Sequence, residues 1–270
     1  MSDKFRLDSY FARIGFRGTA GPDAATLAAL HACHVTTIPF ENLDPLLGGM
    51  VNLDLASLQA KLIDSRRGGY CFELNALFKA ALESIGFKVT GLGGRVRWMS
   101  PPDSPLGPRT HMLLKVDLPE GPYLADVGFG GCVLDAPLRL QPDVEQRTTM
   151  GTYRLTEAGG LFSLSAKRPA GWRTMYVFDL EPQIQSDYEV SSWFASTHPN
   201  LPFSTTLIME RVNSDRRHKL TNRRLIVEAC DGQPVEDRSI GSADELRQVL
   251  DETFNVMPPA PVDEIFARIT

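Results

Sequence analysis

The sequence predicts an α+β protein with a helical first third, a central antiparallel sheet or small barrel, and a mixed last third. Two observations carry this. Apolar residues in the first 87 positions recur at helical spacing, while from residue 88 to about 180 they fall in short β-rich runs with no helix between them. Strands in direct succession exclude a doubly wound parallel sheet. Composition adds the bounds: 270 residues, 43% hydrophobic and 23% charged, suit a folded chain of one elaborate domain or two to three small ones.

Each element has its own signal. Pro22 and Asp23 look like the first turn of a helix that continues through Leu27, Leu30 and Cys33 or His34. Asn52 or Asp54 caps a second helix with Leu55, Leu58 and Leu62 as its stripe, stopped by Gly68 and Gly69. Leu74, Leu77, Phe78, Ala81, Leu82 and Ile85 repeat at i, i+3, i+4, i+7, i+8 and i+11, and Gly86 ends that third helix. The runs FKVTGLGGRVRW, HMLLKVDL, YLADVGF, TYRLTEAGGLFSLSA and WRTMYVFDL read as strands, interrupted by the proline-laden SPPDSPLGPR. In the last third IQSDYEVSSWFAST is helical, TTLIMERV and RRLIVEA are strands, and Ser242 with Glu245 forms a capping box for ELRQVLDETF.

Charge and cysteine usage exclude several function classes. The 28 basic and 33 acidic residues give a net charge of -5, against a nucleic-acid partner, which needs an extended basic face. The densest basic stretch, Arg216, Arg217, His218, Lys219, Arg223 and Arg224, reads as a solvated loop and strand. The start, MSDKFRLDSY, is charged where a signal peptide is apolar, and nowhere do about 18 apolar residues run together. The expectation is a cytoplasmic protein with no membrane partner. Cys33, Cys71, Cys132 and Cys230 are scattered, and the H-A-C-H cluster at 31–34 lies inside a helical run, so no metal is assigned.

The stretch RRGGYCFELN, residues 66–75, places Cys71 at the start of the third helix, just after two glycines. There the unpaired N–H groups and the positive end of the helix dipole stabilise a thiolate. The position suits a small hydrophobe equally well, and this stretch alone does not choose. A nucleophilic thiol needs a base, and the base needs an orienting acceptor. Of five histidines, His111 stands at the head of a strand after the proline-rich loop, and the next strand supplies Asp126 among Ala125, Val127 and Phe129, an awkward place for a carboxylate without a partner. His198, in THPNLPF, is the second candidate base. Gly128, Gly130 and Gly131 around Phe129 leave backbone N–H groups open to an acyl or phosphate group, or simply make a bulge and tight turn.

RGGYCFELN, RTHMLLKV and YLADVGFGG, with TTIPFENLDPL and SSWFASTHPNLPFSTTLIMERV, resemble the arylamine N-acetyltransferases nearly from end to end. The resemblance implies an N-terminal helical bundle at 1–87, a β-barrel at 88–182 and an α/β lid at 183–270. It implies a triad of Cys71, His111 and Asp126. Acetyl-CoA would be the donor in a ping-pong reaction through an acetyl-cysteine thioester, and arylamines, arylhydrazines or N-hydroxyarylamines the acceptors. By the same resemblance Phe40, Val96, Phe129 and Phe203 line the acceptor pocket, although plain core suits Val96 as well. Thr110, Gly130 and Gly131 fall on the CoA side, and Arg67 pairs with Glu41 to hold the helix start. The triad order also suits amide synthases and papain- or transglutaminase-like acyl hydrolases; the motifs outside the triad favour acetyl transfer.

Overall fold

The computed structural model describes residues 4–269 other than Met99 and Pro102. The outer ends of the first and last expected segments, and Pro102 of the proline-rich loop, lie outside the described residues. Helices dominate the first third: α1 Leu7–Ile14, α2 Ala24–Thr37, α3 Leu43–Leu46, α4 Leu55–Gln59 and α5 Cys71–Ile85, with a two-residue strand, β1 Phe40–Glu41, after α2. Asp23 is the N-cap of α2 and not part of its first turn, because its carboxylate accepts the Thr26 N–H at 2.8 Å. Asp54 caps α4 in the same way through Ser57, and α4 runs on into a π-helical turn, Ala60–Asp64, before the glycines. Gly86 takes the left-handed conformation that ends α5.

The central strands are β2 Lys88–Val96, β3 His111–Leu118, β4 Gly121–Ala125, β5 Leu138–Arg139, β6 Glu145–Arg147, β7 Thr152–Ala158, β8 Leu161–Arg168 and β9 Gly171–Phe178. They form one antiparallel sheet in the order β5-β4-β3-β2-β9-β8-β7-β6. Its two edge strands meet. The Gln146 amide in β6 bonds both the N–H and the C=O of Arg139 in β5, at 2.7 and 2.8 Å, so the sheet is nearly closed and its edges are covered. Leu92, Leu113, Leu124, Leu155, Leu164, Met175 and Phe178 make its core. The run YLADVGF stops being a strand at Ala125, since the Asp126 carboxylate folds back on the Gly128 N–H at 3.0 Å and turns the chain.

The last third holds α6 Gln185–Thr197, β10 Ile208–Val212, β11 Arg216–Thr221, β12 Arg224–Ala229, β13 Pro234–Ser239, α7 Ala243–Gln248 and α8 Val262–Arg268. Its sheet has the order β1-β10-β11-β12-β13, so a strand from the first third begins it, with Phe40 opposite Glu210 and Glu41 opposite Met209. Ser242 caps α7 by accepting the Glu245 N–H, while the Glu245 carboxylate reaches Gly241, one residue before the expected reciprocal partner. The basic stretch needs a correction. Residues 216–219 lie in β11, Arg223 in the turn after it and Arg224 at the start of β12, but Arg217 is not solvated: it is buried, paired with Glu210 and donating to the Val133 carbonyl at 3.0 Å. Among the described residues no helix is long and apolar enough to cross a membrane.

Candidate active site

Cys71 is the first residue of α5 and is almost fully buried. Two close approaches put it there. At Gly68 a side chain would collide with the Pro39 carbonyl, which lets the chain run beside β1, where Glu41 N–H bonds Gly69 C=O at 2.9 Å. At Gly128 a Cβ would sit 2.8 Å from the Cys71 Cα, so the turn after Asp126 packs directly on the helix start. The expected Arg67–Glu41 ion pair forms, buried, at 2.8 Å, and the other Glu41 oxygen accepts the Leu43 N–H at 2.7 Å. Glu73, the acid that follows Cys71, caps the same helix by accepting the Tyr70 N–H at 3.1 Å and pairs with Lys61 at 2.6 Å. Its burial pushes its carboxyl up, and Lys61 works against that shift.

His111, at the start of β3, bonds Asp126 through Nε2 at 2.7 Å, leaving Nδ1 for the Cys71 thiol. Burial works against charge on the imidazole; the Asp126 carboxylate, and then Cys71, outweigh it and raise His111 to about 10. Asp126 is fully buried, which pushes its carboxyl up, but His111 holds it below the usual carboxylate range. A buried carboxylate costs several kcal/mol unless its lone pairs are satisfied, about the worth of several charge-assisted bonds. Three further donors supply them. Tyr176 Oη reaches Oδ2 at 2.9 Å, Asn75 Nδ2 reaches Oδ1 at 2.9 Å, and Gly128 N–H reaches Oδ1. Asn75 also donates to Met112 C=O at 2.7 Å and accepts Val127 N–H at 3.1 Å, so one side chain on α5 joins the helix of Cys71 to the strand of His111 and to the turn that holds Asp126.

Sequence reasoning missed Tyr176 and gave Asn75 no role. Asn75 follows Cys71 by four residues, hence on the same helix face, and that spacing was its only signal. Tyr176 lies 65 positions beyond His111 in sequence and no local pattern points to it. His198 is not part of this cluster; it follows the last residue of α6, its ring tilted against Phe194 at 4.5 Å. His31 and His34 are buried in α2, and burial lowers them to about 4 and about 3, so both are neutral.

A cavity of about 350 Å³ opens on Cys71 and His111. Phe40, Val96, Phe129 and Phe203, all expected at an acceptor pocket, line it, together with Thr110 and Gly130 and with Trp98, Leu201 and Ile208, which no expectation covered. The Thr110 carbonyl accepts from the Cys71 thiol at 3.6 Å. Gly131 does not line the cavity: it lies against the Trp98 indole, and its N–H is taken by Phe129 C=O at 2.9 Å. The Gly128 N–H is likewise taken, by Asp126. Phe129 stands edge-on to His111 at 5.2 Å and to Trp98 at 6.0 Å. Phe203 stands edge-on to Tyr70 at 5.6 Å and tilted to Phe40 at 6.2 Å.

Comparison with known proteins agrees with this arrangement. A family model described as N-acetyltransferase matches residues 23–259. The arylamine N-acetyltransferase of Mycolicibacterium smegmatis is 46% identical over 224 residues, 82% of each chain. A solved arylamine N-acetyltransferase from M. smegmatis superposes with a TM-score of 0.93 at 41% identity, covering 98% of both chains. The Mycobacterium marinum arylamine N-acetyltransferase, solved in complex with CoA, superposes at 0.92 and 37% identity, covering 97% of this chain and 99% of its own. The chain therefore belongs to the arylamine N-acetyltransferase family and is an acyltransferase.

Proposed function

We propose that this enzyme moves an acetyl group from acetyl-CoA to the nitrogen of an aromatic amine, hydrazine or N-hydroxylamine through a thioester on Cys71. The Cys71 thiolate attacks the acetyl carbonyl carbon, the C–S bond to CoA breaks, and the CoA sulfur leaves with the proton held by His111. The acceptor nitrogen then attacks the thioester carbonyl, His111 takes the amine proton, and the Cys71 thiolate is released with the N-acetylated product. Asp126 keeps the imidazole in one tautomer and balances its charge in both halves. A thioester is activated enough for a weakly basic aromatic amine to attack, and splitting the transfer lets two bulky substrates use one cavity in turn.

The observation that carries this reading is the 2.7 Å His111–Asp126 bond beside a buried thiol at the end of an aromatic-walled cavity. CoA as donor is supported by the CoA complex of the M. marinum relative. We assign Phe40, Val96, Phe129 and Phe203 to the acceptor ring, which their flat faces suit, and Thr110 and Gly130 to the donor side, with Gly131 letting Trp98 close over that turn. The first third acts as the helical bundle and the last third as the lid, whose residues Leu201, Phe203 and Ile208 shut one side of the cavity. The free thiols of Cys33, Cys71, Cys132 and Cys230 support a reducing place of action, the cytoplasm. Electrospray mass of the protein mixed with acetyl-CoA alone tests the reading. One added acetyl group on the Cys71 peptide, discharged by an arylamine as its N-acetyl product, is expected; peptide or ester cleavage without amine transfer would assign a hydrolase instead.

A further inference from the structure

The proline-rich stretch between β2 and β3 has a structural problem that its neighbours solve. Prolines have no N–H, so residues 97–110, with Pro101, Pro102, Pro105 and Pro108, cannot build a ladder of their own and would leave carbonyls at the cavity rim without donors. Two arginines supply the donors. Arg97, one residue past β2 and still bonded to Met175 C=O, donates to Ser104 C=O at 2.8 Å, Pro105 C=O at 3.1 Å and Pro101 C=O at 2.9 Å. Arg95, two positions earlier and so on the same side of the strand, donates to Gly107 C=O at 2.6 Å. A planar guanidinium with five N–H groups can hold several carbonyls in one fixed geometry; an ammonium cannot. The loop so held delivers Trp98, Ser100, Gly107 and Pro108 to one side of the cavity and ends at Thr110, next to His111.

We propose that Arg95 and Arg97 are positioning residues for the acceptor: they fix the proline loop as a rigid wall of the cavity and thereby set the affinity for the aromatic amine. This rests on the acetyl-transfer reading. Asp126, and His111 through it, are held separately by Asn75, Tyr176 and Gly128, and Thr110, whose carbonyl meets the Cys71 thiol, lies beyond Gly107, the last carbonyl that the arginines hold, so loosening the wall leaves the thiol chemistry in place.

The test loads Cys71 with a short thioester, S-acetyl-N-acetylcysteamine, and follows discharge to 4-anisidine. Arg97→Met is expected to raise KM for anisidine about tenfold, with kcat and the rate of Cys71 alkylation by iodoacetamide within about twofold of the unmodified enzyme. Arg95→Met, which removes one bond, should give a smaller rise, and Arg97→Lys should recover little. Limited proteolysis should cut Arg97→Met faster between residues 100 and 110. Unchanged anisidine KM in both methionine variants overturns the inference, and so does a rise in KM matched by an equal fall in alkylation rate, which would mean a general disturbance of the site. Should Arg97→Met fail to fold, Arg95→Met decides on the same readouts. An unmodified enzyme that takes no acetyl group from acetyl-CoA overturns the parent reading and is a separate result.

Discussion

Asp126 and Phe203 serve one cavity and are held by different physics. Asp126 receives four directional hydrogen bonds of 2.7 to 3.0 Å, three of them from other elements of the fold and one from its own turn, and it is fully buried. Phe203, half-buried in a short 3-10 turn, is held by one bond from Asn42 to its carbonyl at 2.8 Å and by ring contacts with Tyr70 and Phe40. Hydrogen bonds fix atoms to tenths of an ångström and fail abruptly when a partner goes, whereas ring contacts lose energy gradually as a ring shifts. The reaction centre should therefore break in large coupled steps and the acceptor wall in small separable ones.

The largest step is at the carboxylate. Asp126→Asn keeps the shape but removes the charge that holds the imidazolium and puts an amide nitrogen either where Oδ1 met Asn75 and Gly128 or where Oδ2 met Tyr176 and His111, so that two donor contacts are spoiled. Acetyl transfer should fall by about three to four orders of magnitude. Circular dichroism melts run beside the kinetics separate unfolding from chemistry. A folded variant with near-normal turnover would show that the bond network does not matter to the reaction. Asn75→Leu comes next. It leaves Met112 C=O and Val127 N–H buried without that partner, at about 1–3 kcal/mol for each such group, and it loosens Asp126. A melting temperature lower by several degrees, with kcat down about ten- to a hundredfold, is expected. If only stability moved, Asn75 would belong to the core and not to the positioning of Asp126.

Alkali gives a milder test of the same network. His111 is raised above its ordinary value to about 10, so the folded state binds its proton more tightly than the unfolded chain does. That contribution is fully present below about pH 6.5, the unfolded value, and is lost as pH rises through about 10. Asp126 is depressed, so its contribution is present above the usual carboxylate range and is lost only on acidification. Comparing melts of the enzyme and His111→Gln from pH 7 to 11, the gap between them should narrow steadily from pH 7 to about 10 and level off beyond it. A gap that stays constant across that range would show that the buried imidazole does not carry the charge assigned to it.

The same contrast governs what the sequence makes legible. α5 is legible because six apolar residues repeat at helical spacing from Leu74 to Ile85 and a left-handed glycine ends them. Cys71, His111 and Asp126 are legible because each breaks the local pattern: a thiol before the stripe, a histidine at a strand head, a carboxylate among apolar neighbours. α1 is not, since its apolar residues Leu7, Tyr10, Phe11 and Ile14 sit among charges that obscure their helical spacing. β13, PVEDRS, is an exposed edge strand without alternation and exists only through its pairing with β12. Arg217 looks solvated because a strand of basic residues gives no sign that Glu210, seven residues earlier, is turned to meet it inside the fold. Partners chosen by tertiary pairing leave no local trace.

The smallest expected effect sharpens the comparison most. Phe203→Ala removes an aromatic face from the cavity but touches neither Cys71 nor the bonds to Asp126. Acetyl-enzyme formation from a small thioester should therefore run at nearly the normal rate, because in the proposed two-step transfer the acetyl group reaches Cys71 before the amine arrives. Transfer to an arylamine should weaken by about 1 kcal/mol or somewhat more in kcat/KM, the worth of one aromatic contact beyond its buried area, which is roughly five- to tenfold. Tyr70 and Phe40 lose a ring neighbour, so a small drop in melting temperature accompanies it. Quenched mass spectrometry reads the two half-reactions separately. If Phe203→Ala slowed acetylation of Cys71 as much as transfer to the amine, Phe203 would support the helix start through Tyr70, and the wall and the reaction centre would be one mechanical unit after all.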